Sequence, residues 1–202
     1  TEEPESSTTP VPDATPTPEW IVLFVTDVEN GMVGEKPATG SGVNEWTQIV
    51  ENTSKLLYTR VEEEGNGKAL HIYCGEGGTK GGPRASRNIQ IKGMEKLTIE
   101  FKTKTDGANS YIAYYTDSAI NLWSGKSEDA WTQVKLELDI LNQNYITYIN
   151  GINSGETSNL NFNEDVKTLE FRFSAGTVQP GTGIYVDDIK ISFIVPKAGT
   201  LV

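Results

Sequence analysis

The sequence predicts an all-β fold of two packed antiparallel sheets, and three observations lead to this prediction. Short runs rich in β-branched and aromatic residues recur from Trp20 onward. Gly, Asn and Asp separate these runs, as is typical of turns. No stretch of useful length carries apolar residues at the helical spacing. Because so many short strands must cover their apolar faces against each other, we expect a β-sandwich.

Eleven strands are predicted, each from a run of strand-forming residues bounded by turn residues. The turns at 142–144 and at Asn150-Gly151 place a hairpin around one of them. In chain order the strands are 20–25, 56–61, 69–74, 86–91, 96–103, 110–116, 120–123, 131–140, 145–150, 168–174 and 183–195.

The pleat of a strand points alternate side chains to opposite faces, which predicts the buried side of each sheet. Leu97, Ile99 and Phe101 alternate with polar residues, and the strands at 131–140 and 168–174 repeat the pattern. We therefore expect one face of each strand to lie in the core and the other to meet solvent.

The first segment, 1–19, differs from the rest in composition. It consists mainly of Thr, Ser, Pro and Glu, and such a segment cannot bury enough apolar surface to fold. We interpret 1–19 as a disordered acidic linker and 20–202 as one folded domain. Thr/Pro linkers commonly join modules of secreted proteins, which favours a secreted, extracellular or cell-surface location and a catalytic module in the same chain; an ordinary terminus is the alternative.

Charge and cysteine content exclude several classes of function. The formal charge is -11 and no basic stripe is present, so nucleic-acid binding is not expected. The longest apolar run, 20–25, is too short to span a membrane. A single cysteine, Cys74, cannot form an internal disulfide, and together with the single histidine, His71, it is too few for zinc. We expect both to pack in the core, and the domain to be a monomer.

Four segments share their order and spacing with a known family: LFVTDVENG at 23–31, GKALHI at 67–72, WTQVKLELD at 131–139 and IYVDDIKI at 184–191. Together they resemble secreted carbohydrate-binding modules of the β-jelly-roll type, which belong to multimodular polysaccharide-degrading enzymes. The resemblance implies a jelly roll and non-catalytic binding that targets an attached enzyme to a plant cell-wall polysaccharide.

The same resemblance implies a structural calcium ion. In the family pattern an acidic motif after the first strand and paired aspartates in the last strand supply ligands, which are here Asp27 and Glu29, and Asp187 and Asp188. Glu29 and Asp188 are the favoured pair. Adjacent acids on an apolar strand repel each other unless a cation neutralises them, and calcium accepts carboxylate and carbonyl oxygens. A solvated acidic edge is the alternative.

No catalytic residues are predicted. Glu137 and Asp139 are followed by Asn142, where laminarinase-like hydrolases on a related sandwich have a second Glu. Retaining hydrolysis needs two carboxyl groups about 5 Å apart, so this segment lacks its proton donor. Two alternatives to the binding module remain: a structural or adhesive domain of a surface protein, and a small polysaccharide lyase.

Sugars bind to exposed aromatic rings and fixed hydrogen-bonding groups. Ile120 and Leu122 are expected in the core, which leaves Trp123 outward as a sugar platform. Tyr111 and Tyr115 share one face of the preceding strand. Packing under a loop or in the core is the alternative for all three aromatic side chains.

A cluster of cations suggests an acidic ligand. Lys80, Arg84 and Arg87 lie close together in an otherwise acidic chain, and Arg172 and Lys102 could extend the patch. Because Arg binds carboxylates through two parallel hydrogen bonds, a uronic-acid polymer such as pectin would suit these residues. Solubilising charges, or Arg side chains bound to loop carbonyls, are the alternative.

Overall fold

The chain folds into two antiparallel β-sheets, which confirms the predicted sandwich class. The computed structural model describes residues 19–26, 28–115, 119–128, 130–160 and 167–195. These ranges contain strands and two three-residue 3₁₀ turns, Val28–Asn30 and Thr53–Lys55, and no α-helix. The strands are β1 (Glu19–Val25), β2 (Gln48–Val50), β3 (Leu57–Glu64), β4 (Gly67–Cys74), β5 (Arg84–Gln90), β6 (Lys96–Asp106), β7 (Ser110–Tyr115), β8 (Ala119–Gly125), β9 (Thr132–Asp139), β10 (Asn144–Ile149), β11 (Ile152–Asn159), β12 (Thr168–Ser174) and β13 (Thr182–Val195).

The larger sheet has eight strands and is organised by β13. Its order is β11-β10-β9-β6-β13-β4-β3, and β1 also pairs with β13. The first part of β13 pairs with β4, and the last part pairs with β1, while β6 runs along its other side. The exchange of partners coincides with a register shift between Asp187 and Lys190. One long strand thus joins the start of the domain to the rest of the sheet.

The smaller sheet has five strands in the order β2-β5-β12-β7-β8. Apolar side chains from both sheets fill the space between them, and Leu97, Ile99 and Phe101 are buried as the pleat predicts. Trp46, in the loop before β2, is 0% exposed. Its indole meets the rings of Phe24 and Phe173 edge-on, at centroid distances of 4.8 and 5.6 Å, so it packs between the two sheets.

All eleven predicted strands are present, with ends that differ by a few residues; the last residue of the predicted strand 110–116 lies outside the described ranges. Two strands were missed. β2 has only three residues, and β11 is polar and contains Gly155. The Asn150-Gly151 turn is confirmed, because both residues have positive φ, 50° and 78°, and the flanking residues pair directly.

Candidate functional site

The outer face of the five-stranded sheet presents polar side chains on two adjacent strands, β5 and β12. On β12, Leu169, Phe171 and Phe173 are buried in the core, so the alternating residues face outward. Register places residues of β5, β12 and β7 opposite one another in three rows, which we call the polar grid: Asn88, Glu170 and Tyr115; Ser86, Arg172 and Ala113; Arg84, Ser174 and Tyr111. For Tyr111 and Tyr115 the described structure gives the backbone position only.

A bidentate ion pair forms the centre of the polar grid. Arg172 Nε donates to Glu170 Oε1 at 2.7 Å, and Arg172 Nη2 donates to Glu170 Oε2 at 3.0 Å. The hydrogen bonds from Arg172 hold the pKa of the Glu170 carboxyl below its usual range; burial opposes this, and the charges of Arg172 and Arg84 reinforce it. Both side chains of the pair are half-buried. They contact each other along the strand, because residues two apart on a strand lie on the same face.

Small side chains lie on either side of Arg172. Ser86 on β5 and Ala113 on β7 pair with it in register and are almost completely covered. In the next row, Arg84 Nε is buried and has no hydrogen-bond partner within the described ranges. The grid therefore offers a preorganised donor–acceptor pair beside the half-buried Arg84 side chain.

The charge of the polar grid is positive in an acidic chain. Two arginines and one glutamate lie on the face, so the formal charge is one positive unit. Hydroxyl-rich ligands both donate and accept hydrogen bonds, and a ligand carboxylate would be attracted to Arg84. Sequence reasoning named Arg84, Arg172, Tyr111 and Tyr115 separately, and the sheet register brings their backbones into one grid.

The predicted outward position of Trp123 is wrong. The β7–β8 register shifts, so that Ile112 pairs with Trp123 and Ala113 pairs with Asn121. The extra residue turns the indole toward the core, where it meets the ring of Phe101 edge-on at 5.7 Å. A bulge reverses the face of every following side chain, and the alternation of residues alone did not reveal it.

Arg87 points inward, away from the polar grid. Its Nη1 donates to the carbonyl oxygen of Glu45 at 2.5 Å and its Nη2 to that of Ser41 at 3.4 Å. The guanidinium also lies over the ring of Phe24, 5.4 Å from its centroid. Arg87 therefore anchors the loop that carries Trp46, which is the alternative role that the sequence allowed.

The remaining predicted cations do not join the grid. Lys80 is exposed in the loop between β4 and β5. Lys102 belongs to the other sheet, where its Nζ lies 2.5 Å from Asp188 Oδ2. The patch of five cations predicted from the sequence is thus reduced to Arg84 and Arg172.

Two of the four acids predicted to bind calcium line one shallow groove, whereas Asp188, the predicted partner of Glu29, is exposed, paired with Lys102 and not in the lining. Glu29, in the 3₁₀ turn, and Asp187, on β13, both line it. Burial raises the pKa of Asp187, and the neighbouring charges of Asp188 and Glu29 add to this effect. Asp27 lies outside the described residues. Glu29 and Asp187 thus form a carboxylate pair that a cation would stabilise.

Lys68 already brings one cation to this groove. Its Nζ donates to the carbonyl oxygens of Glu29 at 2.8 Å and Gly31 at 2.9 Å, and its backbone N–H donates to Glu29 Oε1 at 2.9 Å. No cluster of three or more acidic, Cys or His ligands is found among the described residues. The donor set suits calcium, which accepts backbone carbonyls, only if the ion displaces the Lys68 ammonium.

An aromatic stack on the outer face of the eight-stranded sheet was not predicted. His71 lies between the rings of Tyr73 and Tyr185, parallel to each and 4.1 Å from each centroid. Tyr58 continues the row beside Tyr73. Both faces of the His71 ring are therefore covered by the two tyrosines. Cys74 is in the core as expected, whereas His71 is buried on the outer face instead.

The acidic residues at the end of β9 have a structural role in the β9–β10 hairpin. Asp139 accepts hydrogen bonds from the backbone N–H of Asn142 at 2.9 Å and from its side-chain amide at 3.0 Å. Glu137 is bound by Lys135 and by the Tyr148 hydroxyl. Asn142 therefore closes the turn where a hydrolase of the related pattern would have a second Glu.

Comparisons with known proteins identify the fold and no family. No protein-family model and no curated protein matches the chain. A sugar binding protein from Bacteroides thetaiotaomicron is 16% identical over 86% of this chain and 100% of its own, with a TM-score of 0.55. A carbohydrate esterase of the Shiga toxin-encoding bacteriophage phi24B is 12% identical, over 87% and 99%, with a TM-score of 0.56. A family 29 carbohydrate binding module is 15% identical, over 87% and 92%, with a TM-score of 0.42.

The chain also matches a sialidase, of which it spans 16%. At these identities the likeness concerns the fold alone. Among the described residues, no helix is both long and apolar enough to cross a membrane.

Burial of His71 makes stability depend on pH. Burial lowers the pKa of His71 to about 4, and Asp106, whose carboxylate is 3.7 Å away and largely exposed, does not offset this. The His71 imidazole of the unfolded chain binds a proton at a higher pH than the buried imidazole of the folded chain. The free energy of unfolding should therefore fall as pH drops from about 6.5 toward 4, by up to about 3 kcal/mol. His71→Phe keeps a ring in the stack and removes the proton site. The Tm of His71→Phe, measured by calorimetry, should fall less over this pH range than the Tm of the wild-type domain. Parallel curves of Tm against pH for the two proteins would contradict the assignment to His71.

Proposed function

We propose that the chain is a non-catalytic carbohydrate-binding module whose binding face is the polar grid. The observation that carries the proposal is the fixed Arg172–Glu170 pair beside the half-buried Arg84 side chain. Neighbouring hydroxyls of a sugar ring both donate and accept, so a rigid donor–acceptor pair on a sheet face matches them without loss of side-chain freedom on binding.

The charge of the grid favours an acidic polysaccharide such as pectin. Arg84 and Arg172 leave one positive unit after Glu170 is counted, and a uronate carboxylate accepts paired hydrogen bonds from a guanidinium. We extend the proposal to the biological setting: a secreted domain that holds an attached enzyme close to a plant cell-wall polysaccharide and so raises the local substrate concentration.

The first test is affinity electrophoresis in gels that contain pectin or neutral polysaccharides. Pectin should retard the wild-type domain, and Arg84→Ala or Arg172→Ala should weaken binding roughly ten- to a hundredfold, because each removes hydrogen bonds to a charged ligand. Lys190→Ala is the matched control, since it removes an exposed cation from the other sheet. Retardation that survives both Arg substitutions would refute the grid as the binding face.

We also propose that a structural calcium ion binds to the carboxylates of Glu29 and Asp187 and to the carbonyl oxygens that hold Lys68 Nζ. Support comes from the raised pKa of Asp187 and from the convergence of carbonyl oxygens on one ammonium group. The bound ion would neutralise the two carboxylates and link the turn after β1 to β13.

Calcium should then raise the Tm of the wild-type domain relative to EDTA. At hundredfold excess over Kd, ligand linkage and the size of the domain give a shift of roughly 5–10 °C. Glu29→Gln should lose most of the shift. Asp188→Asn, whose carboxylate is exposed and paired with Lys102, should keep it. The same Tm in calcium and in EDTA would contradict the calcium site and leave the ammonium groups of Lys68 and Lys102 as the balancing charges of the groove.

A further inference from the structure

A groove on the outer face of the eight-stranded sheet combines an exposed indole with converging polar groups. It lies far from the polar grid in the fold, because it belongs to the opposite sheet. We call it the Trp20 groove, and it has a volume of about 230 Å³. The residues that matter for its chemistry are Trp20, Lys96, Thr98, Glu137, Asp139 and Asn144.

Trp20 forms one wall of the groove. It lies on β1, opposite Ile194 of β13, and its side chain is 46% exposed. A register shift between Val22 and Phe24 allows Phe24 to enter the core while Trp20 remains on the outer face. An indole held on a paired strand, with much of its surface in solvent, is the type of platform on which the C–H face of a sugar packs.

Two carboxylates on β9 form the polar side, and both are held in place. Asn142 binds both oxygens of Asp139, at 2.9 and 3.0 Å. Glu137 Oε1 lies 2.7 Å from Lys135 Nζ, and Glu137 Oε2 accepts from the Tyr148 hydroxyl at 3.1 Å. Because a carboxylate has about four lone-pair sites, each can still accept hydrogen bonds from a ligand without reorganising.

The register of the sheet places further polar groups beside these acids. Asp139 pairs with Lys96 on β6 and with Asn144 on β10, and Glu137 pairs with Thr98. Thr98 is almost completely buried although it faces outward, so the longer side chains around it enclose the floor of the groove. The groove thus contains an amide, a hydroxyl and an ammonium group around the acceptors.

Charge and size narrow the ligand class. Glu137 and Asp139 are balanced by Lys96 and by Lys135, which is ion-paired with Glu137, so the groove has no net charge. The lack of excess positive charge disfavours a uronate, and the carboxylates favour the hydroxyl donors of a neutral sugar. The volume is below the roughly 300–1,000 Å³ of pockets for drug-sized ligands. We propose that the Trp20 groove is a second carbohydrate subsite, which takes a single neutral sugar residue or a chain end. The subsite shares no residue with the polar grid, so an experiment can contradict one of the two proposed sites without contradicting the other.

The test uses ¹⁹F NMR of the domain labelled with 5-fluorotryptophan, in which each of the four tryptophans reports separately. The probes are the methyl β-glycosides of glucose, galactose, mannose and xylose, with methyl α-galacturonoside as the charged comparison. Substitution Trp20→Phe assigns the resonance. The Trp20 resonance should shift saturably with at least one neutral glycoside and not with the galacturonoside.

Two variants separate the subsite from the proposed grid. Glu137→Gln preserves shape and removes a charged acceptor, so it should weaken the Trp20 response roughly tenfold or more. Arg84→Ala should leave that response unchanged. An unchanged Tm of Glu137→Gln would show that the fold is intact. The proposal is overturned if no neutral glycoside shifts the Trp20 resonance, or if Glu137→Gln responds like the wild-type domain.

Discussion

The alternation of side chains along a paired strand is the constraint on which the rest of the molecule depends. Every second residue from Leu97 to Phe101 on β6, from Val134 to Leu138 on β9 and from Leu169 to Phe173 on β12 is apolar and lies in the core. The intervening residues must therefore face outward. Burial of this core supplies the main stabilisation. It also fixes the backbone beneath each outer face, and the polar grid and the Trp20 groove owe their geometry to that rigid support.

Where the alternation of apolar and polar residues continues along a strand, the sequence alone was sufficient to predict the buried face. The buried faces around Phe101 and Phe171 were predictable, because the period of two persists over whole strands. The hairpin at Asn150-Gly151 was predictable from turn chemistry. β2 was not, because three residues in a loop region carry no period that could be detected.

The candidate sites were less predictable, because they depend on interruptions and on pairing between distant strands. One bulge turns Trp123 inward. Arg87 lies on the buried side of β5 because its guanidinium binds carbonyls of a loop more than forty residues earlier. The rows that bring Arg84, Arg172 and Trp20 to their neighbours are set by sheet order, which a single sequence does not specify.

The central claim is that sugar meets the five-stranded sheet at the polar grid, and mapping of amide chemical shifts tests it most directly. Titration of ¹⁵N-labelled domain with pectin-derived oligogalacturonides should perturb the amides of β5, β7 and β12 most strongly, around Ser86, Ala113 and Arg172. Perturbations confined to the eight-stranded sheet, or to the loop around Lys80, would contradict the claim.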